Sequence, residues 1–328
     1  ERRAETWAAA ECDIGLPAPA PPPTIPGQMS ESDWFQGEYN FLGLPAELTQ
    51  RQRARAWVLP VPYDATTSYA PGTRRGPAAI LAASREVEQY DREFDCEPAV
   101  AFGVHTLPPL RAELQSPEAM IERVAGAVTG LLRGKPAPEL LVVLGGEHSI
   151  SAGVARGLAQ AHGARDLVAV QVDAHADLRD EYEGSRFSHA CAARRILEHC
   201  PVFQIGIRNI SLEEEAFRRR SRRVQTVFAG ARNYLPQLRR FVRGKRVYLT
   251  VDVDGLDAAI MPATGTPEPG GLSWAELLDI VRVVAREARA VPVADVVELS
   301  PVAGLHGPDF LAARLVYEIM KQVLMRKE

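Results

Sequence analysis

The sequence predicts an α/β protein, a three-layer α/β/α sandwich around a mainly parallel sheet. Short runs of β-branched and other apolar residues alternate with longer segments of helical character over most of the chain. These runs are continuously apolar, which is typical of strands that are covered on both faces, as in a parallel sheet. Because strands and helices alternate, we expect right-handed crossovers and a site at the carboxyl ends of the strands.

The chain begins with a segment that cannot join such a fold. Residues 16–27, LPAPAPPPTIPG, are dominated by proline and alanine and can form neither a helix nor a sheet ladder. Residues 1–40 are therefore predicted to be an extended arm or disordered tail. Residues 41–328 are predicted to form one domain, since large single α/β domains reach this length.

Six strands are predicted within this domain. They are AWVLPV at 56–61, ELLVVLG at 139–145, LVAVQVD at 167–173, VFQIGIR at 202–208, RVYLTVDVD at 246–254 and VADVVEL at 293–299.

Helix starts are marked by three serines. Ser116 precedes a proline and a glutamate, which favours a helix from that point. Ser211 and Ser273 are each followed three residues later by a glutamate, Glu214 and Glu276, which is the capping-box pattern.

Charge and composition exclude several kinds of partner. The formal net charge is -4, with 38 basic and 42 acidic residues, which gives no basis for binding nucleic acid or an anionic membrane. No segment approaches the ~20 apolar residues of a membrane span, and no signal peptide is evident. Four cysteines without a CxxC pair do not make a disulfide framework, so a reducing cytoplasm is the predicted location.

Charged residues follow three of the predicted strands. The strand ends read GGEHS, VDAHADLRD and TVDVDGLD, and the two glycines are expected to let the backbone turn sharply and approach a ligand. Residues two apart in extended chain share a face, so each set can converge on one point at the sheet edge. The side chains concerned are His148, Asp173, His175, Asp177, Asp252 and Asp254.

Together these side chains predict a metal centre. A lone DxD after a strand is more often a turn or a helix cap. Four carboxylates in one apolar crevice, however, repel each other unless divalent charge neutralises them. Six ligands favour two ions that share bridging carboxylates, about 3.5 Å apart. Mixed imidazole and carboxylate ligands without thiolate favour Mn²⁺, while Fe, Co, Ni and Zn stay open.

The motifs GGEHS, DAHADLRDEYEG, SHACAARR, DVDGLD and PATGTPEPGGLSW together resemble the ureohydrolase family of arginases and agmatinases, and the agmatinase branch most closely. The resemblance runs from VPYDATTSYAPGTRRGP to LAARLVYEIMKQVL, nearly the whole folded chain. It implies a three-layer fold, a dinuclear manganese site, cleavage of guanidino compounds to urea, and homotrimers or homohexamers.

The resemblance also implies roles for individual residues. By motif, His148 and Asp177 bind one ion, His175 and Asp254 bind the other, and Asp173 and Asp252 bridge both. His189 resembles the family's proton-shuttling histidine, and Glu298 resembles the carboxylate that faces the guanidinium. Taken alone, either residue would more often be structural.

The implied reaction is attack of a metal-bridging hydroxide on the guanidinium carbon. Two cations lower the pKa of a bridging water, and Glu298 can orient the guanidinium through charge-assisted hydrogen bonds. Asp177 could relay a proton to the leaving amine, and His189 could exchange protons with solvent.

Agmatine, cleaved to putrescine and urea in a step of polyamine biosynthesis, is the predicted substrate. Arginases that resemble this chain use an asparagine shortly after the DAHxD motif, where Arg179 and Asp180 stand here. Free arginine is therefore disfavoured, whereas Arg179 could attract the carboxylate of 4-guanidinobutyrate, which stays a competitor.

Two alternatives from other classes are less favoured. A non-catalytic family member does not need all six ligand positions to be filled, as they are here. Metal analysis would distinguish it, since the enzyme should carry about two ions per chain. A single-zinc deacetylase needs fewer acidic ligands than are present. The sequence leaves open the physiological metal, the exact oligomer and the role of the proline-rich arm.

Overall fold

The computed structural model describes residues 40–326. The proline-rich stretch at 16–27, and with it the predicted arm up to residue 39, lies outside the described residues.

A sheet of eight strands forms the centre of the molecule. The strands are β1 (Ala56–Val61), β2 (Val104–Thr106), β3 (Leu140–Gly145), β4 (Leu167–Val172), β5 (Val202–Ile207), β6 (Val224–Phe228), β7 (Arg246–Asp252) and β8 (Ala290–Val297). Their order across the sheet is β2-β1-β3-β8-β7-β4-β5-β6, and each pairing of neighbours in it is parallel. The predicted fold class is confirmed.

Helices cover both faces of this sheet. They are α1 (Ala46–Thr49), α2 (Gly76–Ser84), α3 (Pro98–Phe102), α4 (Pro117–Arg133), α5 (Ile150–His162), α6 (Ala192–Ile196), α7 (Leu212–Arg220), α8 (Leu235–Val242), α9 (Trp274–Glu287) and α10 (Gly307–Leu324). Between residues 40 and 326, no helix is both long and apolar enough to cross a bilayer.

Two hydrophobic cores lie on opposite faces of the sheet, which is why its central strands are mostly apolar on both faces. Within β3, Val142 and Leu144 pack into one core together with residues of α2, α8, α9 and α10. Leu141 and Val143 pack into the other core, with residues of α4, α5 and α6. This burial on both faces is the physical cause of the unbroken apolar runs in the sequence.

The six predicted strands are all present, with ends that differ by a few residues, but two edge strands were not predicted. β2 has only three residues, and only two of the five residues of β6 are buried. An edge strand needs neither length nor two apolar faces, so neither segment carries the pattern of a central strand.

The three predicted helix starts are confirmed. Ser116 Oγ accepts a hydrogen bond from the backbone N–H of Ala119 at 3.1 Å. Ser211 and Ser273 form complete capping boxes with Glu214 and Glu276. Each cap satisfies backbone donors that a helix leaves unpaired in its first turn.

The strand order brings one set of strand ends together. Since β8 and β7 lie between β3 and β4, consecutive strands of the chain are separated there by two others. In an open α/β sheet, such a reversal creates a crevice at the carboxyl ends of the strands. The ends of β3, β4, β7 and β8 border this crevice.

Candidate metal centre

The crevice brings all six predicted ligand side chains together. On one side, His148 Nδ1 lies 3.1 Å from Asp173 Oδ2, 3.1 Å from Asp177 Oδ2 and 3.3 Å from Asp252 Oδ2. These groups come from the ends of β3, β4 and β7. They converge on one point, as ligands of a single ion must.

A second group lies beside the first. His175 Nδ1 is 3.0 Å from Asp254 Oδ2 and 3.7 Å from Asp173 Oδ1. Asp173 thus directs one carboxylate oxygen to each histidine and belongs to both groups of potential ligands. A carboxylate shared in this way is the arrangement that bridges two metal ions.

The donor atoms of the first group fit a cation. His148 Nδ1 is buried and makes no hydrogen bond with the described residues, although three carboxylate oxygens surround it. Its other nitrogen, Nε2, lies 3.0 Å from Thr250 Oγ1. A histidine whose Nε2 is occupied by a hydroxyl presents Nδ1 as a ligand atom.

The electrostatics of the cluster also favour added positive charge. Burial raises the pKa of Asp173 to about 7, and the charges of Asp177 and Asp254 add to the effect. Burial likewise raises the pKa of Asp252 well above its usual range. Burial disfavours a charged His175, but hydrogen bonding to Asp254 raises its pKa to about 10. Divalent cations would relieve the repulsion that these shifts express.

Backbone donors fix three of the carboxylates. Asp173 Oδ1 accepts from the N–H of His175 at 2.6 Å, and Asp252 Oδ1 accepts from the N–H of Asp254 at 2.9 Å. Asp254 Oδ1 accepts from the N–H of Ala174 at 3.0 Å, which joins the end of β7 to the end of β4. One oxygen of each carboxylate is thus held while the other faces a histidine.

Two site residues adopt the left-handed backbone conformation. Asp177 has φ 51° and Glu298 has φ 66°. The conformation is uncommon outside glycine, and it costs about 1–3 kcal/mol where a residue is forced into it. Such strain tends to accumulate at functional sites, where the surrounding structure enforces the geometry.

Polar residues inside the strands support the ligands from behind, and sequence reasoning missed them. Gln171 Nε2 donates to Asp173 Oδ2 at 2.7 Å, and Gln204 Nε2 donates to Gln171 Oε1 at 2.9 Å. Gln171 and Thr250 each stand two residues before a candidate ligand, on the same face of the strand. The sequence does contain a signal for these two residues. Each is a polar residue in an otherwise apolar run, two residues before an aspartate at the strand end.

The glycines of GGEHS serve a different purpose from the one predicted. A Cβ at Gly146 would lie 1.9 Å from the carbonyl oxygen of Tyr63, and one at Gly145 would lie 2.6 Å from Val297 Cγ1. Neither glycine has a positive φ. The chain does bend at Gly146, as predicted, but what requires glycine at both positions is the close approach of Tyr63 and Val297, which follow and end the neighbouring strands β1 and β8.

A cleft of about 230 Å³ opens above the candidate ligands, and the three predicted catalytic side chains, Asp177, His189 and Glu298, line it. Glu298 Oε1 accepts from the backbone N–H of His148 at 2.6 Å, so this carboxylate lies beside the first group. His189 lies across the cleft, with its Nε2 3.1 Å from Ser68 Oγ and its ring packed edge-on against Tyr182.

Arg179 also lines the cleft, and its charge is shared. Its guanidinium carbon lies 5.1 Å from the ring centroid of Tyr182. Its Nε is 3.9 Å from Glu214 Oε2, a buried carboxylate of the α7 capping box. A negative group on the substrate would therefore compete with Glu214 for this arginine.

Comparison with known proteins identifies relatives along most of the chain. Residues 54–321 match the model of the arginase family. The chain is 36% identical over 301 residues to the N(1)-aminopropylagmatine ureohydrolase of Synechocystis sp., covering 89% of this chain and 96% of that protein. It is 33% identical to the agmatinase of Halalkalibacterium halodurans over 260 residues, 76% of this chain and 85% of the relative.

A solved structure shows the same fold. The agmatine ureohydrolase of Thermoplasma volcanium superposes with a TM-score of 0.75 at 31% identity, covering 85% of this chain and 93% of that one. The predicted resemblance to the ureohydrolases is confirmed, and so is the predicted enzyme class, a hydrolase of linear amidines. With the family match extending from β1 to α10, this chain belongs to the arginase family.

Proposed function

We propose that the chain hydrolyses a guanidino compound with an amine-bearing tail, agmatine first, to urea and the corresponding amine. The observation that carries the proposal is Asp173, whose two oxygens face His148 and His175 in two adjoining groups of potential ligands. Two Mn²⁺ ions would be held there by the six strand-end side chains. When bound, such ions supply a nucleophilic hydroxide at neutral pH.

Glu298 is proposed to bind and orient the guanidinium. Its carboxylate is buried, and burial raises its pKa well above the usual range, so the carboxylate gains from a cationic partner. A guanidinium supplies that charge through paired N–H donors, and the pair would fix the reacting carbon over the candidate ligands.

Two further side chains are proposed to handle protons. The tetrahedral carbon formed by attack loses its amine readily only when that nitrogen is protonated. Asp177, whose Oδ2 belongs to the first group, is proposed to take the proton of the attacking hydroxyl and to transfer it to this nitrogen. His189, which also lines the cleft, is proposed to exchange protons with solvent.

The charge of Arg179 bears on substrate choice. An arginase or a guanidinobutyrase must bind a substrate carboxylate, and Arg179 is the arginine that lines the cleft. Its pairing with Glu214 and its stacking on Tyr182 already stabilise the guanidinium, which weakens the case for a carboxylate-bearing substrate. A tail that ends in an amine meets no such competition.

A second candidate substrate is N(1)-aminopropylagmatine. The relatives of that name include proteins 36% and 38% identical to this chain, whereas the agmatinase from H. halodurans is 33% identical. This substrate shares the guanidinium and adds a further amine to the tail, so the same metal centre and Glu298 would serve it.

The test is urea release by manganese-loaded protein from agmatine, N(1)-aminopropylagmatine, 4-guanidinobutyrate and L-arginine under identical conditions. The comparison uses kcat/KM, which reports discrimination in the transition state. We expect one of the two amine-tailed compounds to be preferred, and arginine to be poorest because its carboxylate is desolvated without a dedicated partner. A preference for arginine would refute the assignment, and a preference for guanidinobutyrate would direct attention to Arg179.

A further inference from the structure

We propose that Thr66 and Ser68 are positioning residues for His189, presented by a loop that the protein anchors from both sides. The inference rests on the proposed function, since it assumes that His189 handles protons during guanidinium hydrolysis. It adds residues from a different part of the chain, more than 120 positions before His189, to the machinery of the cleft.

Hydroxyl groups of neighbouring residues contact both the ring and the backbone of His189. Ser68 Oγ lies 3.1 Å from Nε2, and Ser188 Oγ lies 3.3 Å from Nδ1. Thr66 Oγ1 accepts the backbone N–H of His189 at 3.0 Å. With Tyr182 packed edge-on against the ring, these contacts restrict both the placement and the rotation of the imidazole.

Thr66 is in turn fixed by a buried carboxylate. Glu147 is fully buried next to the candidate ligand His148. Glu147 Oε2 accepts the N–H of Thr66 at 2.6 Å, and its Oε1 accepts the Thr66 hydroxyl at 2.7 Å. Burying a carboxylate is costly, so its hydrogen bonds to Thr66 must be well formed for it to be tolerated.

The Thr66 hydroxyl connects Glu147 to His189, and it acts as a donor to the first and as an acceptor from the second. Because its proton is donated to Glu147, its oxygen is left to accept from the backbone of His189. The end of β3, which bears His148, is thereby linked through one threonine to the residue on the far wall of the cleft. Displacement of Thr66 would move His189 relative to the metal centre.

The other end of the loop is closed by Asp64. This buried carboxylate accepts from the backbone N–H groups of Gly72 at 3.0 Å and Arg74 at 3.1 Å, and it also pairs with the Arg74 guanidinium. Residues 64–74 thus form a loop tied at its base, with Thr66 and Ser68 in its first half. A tied loop holds its side chains more narrowly than a free one.

The Ser68 hydroxyl suits a histidine that changes protonation. A hydroxyl can donate to an unprotonated Nε2 and can accept from a protonated one. Ser68 can therefore keep its contact with the ring on either side of a proton transfer. A purely accepting or purely donating partner would favour one state and oppose the other.

The test compares hydroxyl-deleting and hydroxyl-retaining variants under saturating and limiting agmatine. Thr66→Val should lower kcat by about 10- to 100-fold with little change in KM, because misplacing a catalytic group by about 1 Å can cost this much. Thr66→Ser keeps the hydroxyl and should restore most of the rate. Thr49→Val removes a hydroxyl from the distant helix α1 and should leave kcat and KM unchanged. Manganese content is measured in every variant and should equal that of the unsubstituted chain.

A double-mutant cycle separates positioning from direct action. Ser68→Ala should reduce kcat in the unsubstituted chain but have no further effect in a His189→Ala background, because it acts through that histidine. An undiminished effect in that background would mean that Ser68 acts on the substrate, and the inference would fall. If His189→Ala lowers kcat while Thr66→Val and Ser68→Ala do not, the inference fails and the proposed function survives. If His189→Ala is fully active, the inference and the proposed role of His189 fall while the proposed hydrolysis stands. If no compound releases urea, the proposed function falls and the inference falls with it.

Discussion

At the scale of single residues, Asp173 is the candidate ligand that connects the two groups of the metal centre. It accepts from the backbone of His175 and from Gln171, and its two oxygens face two histidines. The end of strand β4 itself presents this carboxylate, so its orientation does not depend on a long loop. The residue can be altered without removing any side chain from the hydrophobic cores.

Replacing Asp173 or Asp252 by asparagine should abolish dinuclear binding and urea release together. Either change removes a charge that is expected to act on both ions, while leaving the shape of the side chain almost unaltered. Metal content should fall from about two ions per chain to one or fewer, measured by plasma emission spectroscopy. Asp166→Asn, an exposed carboxylate just before the start of β4 and at the opposite end of that strand from Asp173, is the matched control. Near-normal turnover with metal retained would contradict the ligand assignment.

Gln171→Leu should weaken metal binding without removing a ligand. The substitution deletes the hydrogen bond to Asp173 Oδ2, and losing such an outer partner typically lowers metal affinity by about 10- to 100-fold. Calorimetric titration of the metal-free protein with Mn²⁺ measures the change. Gln225→Leu, at an exposed position of β6, should leave the affinity unaltered. Equal affinities in the two variants would show that Asp173 needs no support from Gln171.

At the scale of elements, helix α10 carries a buried ion pair that docks it against the segment before α3. Lys321 is almost completely buried, and its ammonium donates to Asp91 and to Glu318, the latter at 2.8 Å. Both carboxylates are buried. Asp91 pairs with Lys321, whereas Glu318 also pairs with Arg314 at 3.0 Å, so Asp91 is the carboxylate that depends on this lysine.

Lys321→Met should destabilise the protein by about 3–5 kcal/mol, because removing one partner leaves buried charge uncompensated. The free energy of unfolding is measured from urea denaturation followed by circular dichroism. Lys135→Met, at an exposed position, should change it by less than about 0.5 kcal/mol. A comparably small effect at Lys321 would mean that the pair contributes nothing net.

The same pair should make stability depend on pH in the acid range. Burial alone would raise the pKa of Asp91, but the hydrogen bond from Lys321 lowers it below its usual value. A carboxyl with a lowered folded-state pKa stabilises the fold above its unfolded pKa of about 3.9, and that contribution is lost as the pH falls through the folded value. The difference in the free energy of unfolding between the parent chain and Asp91→Asn should therefore shrink as the pH is lowered from about 6 to about 3. A difference in the free energy of unfolding that stays constant over this pH range would contradict the prediction.

The central strands and helix starts could be predicted because their signals are local. Burial on both faces makes β3 apolar throughout and β4 and β7 mostly apolar, and each cap at Ser211 and Ser273 is recognisable within four residues of sequence. The contacts around His189 could not be predicted, since Thr66 and His189 are brought together only by the folded sheet. The left-handed backbone of Glu298 also has no sequence signal, because glutamate does not favour it.

At the scale of the whole molecule, metal should stabilise the folded chain. A ligand that binds only the folded state adds about 4 kcal/mol at a thousandfold excess over its Kd. Removing metal with a chelator should therefore lower Tm, and added Mn²⁺ should restore it. Asp173→Asn should respond much less to either treatment. A parent chain whose Tm ignores both would argue against a resident dinuclear centre.

The oligomer and the location of the protein stay predictions. Homotrimers or homohexamers are checked by sedimentation equilibrium, and the cytoplasm by fractionation of the source cells.

The position of β8 has a consequence for how the chain is made. β8 is the last strand in sequence, yet it pairs with β3 on one side and β7 on the other. Without β8, the sheet can pair only as two halves, β2-β1-β3 and β7-β4-β5-β6, each with an open edge. His148 follows a strand of the first half, the other five candidate ligands lie at or after the ends of strands of the second, and Glu298 follows β8 itself. Pairing of such distant segments is slow and leaves unpaired edges open to aggregation, so the metal centre can be completed only after β8 has been synthesised.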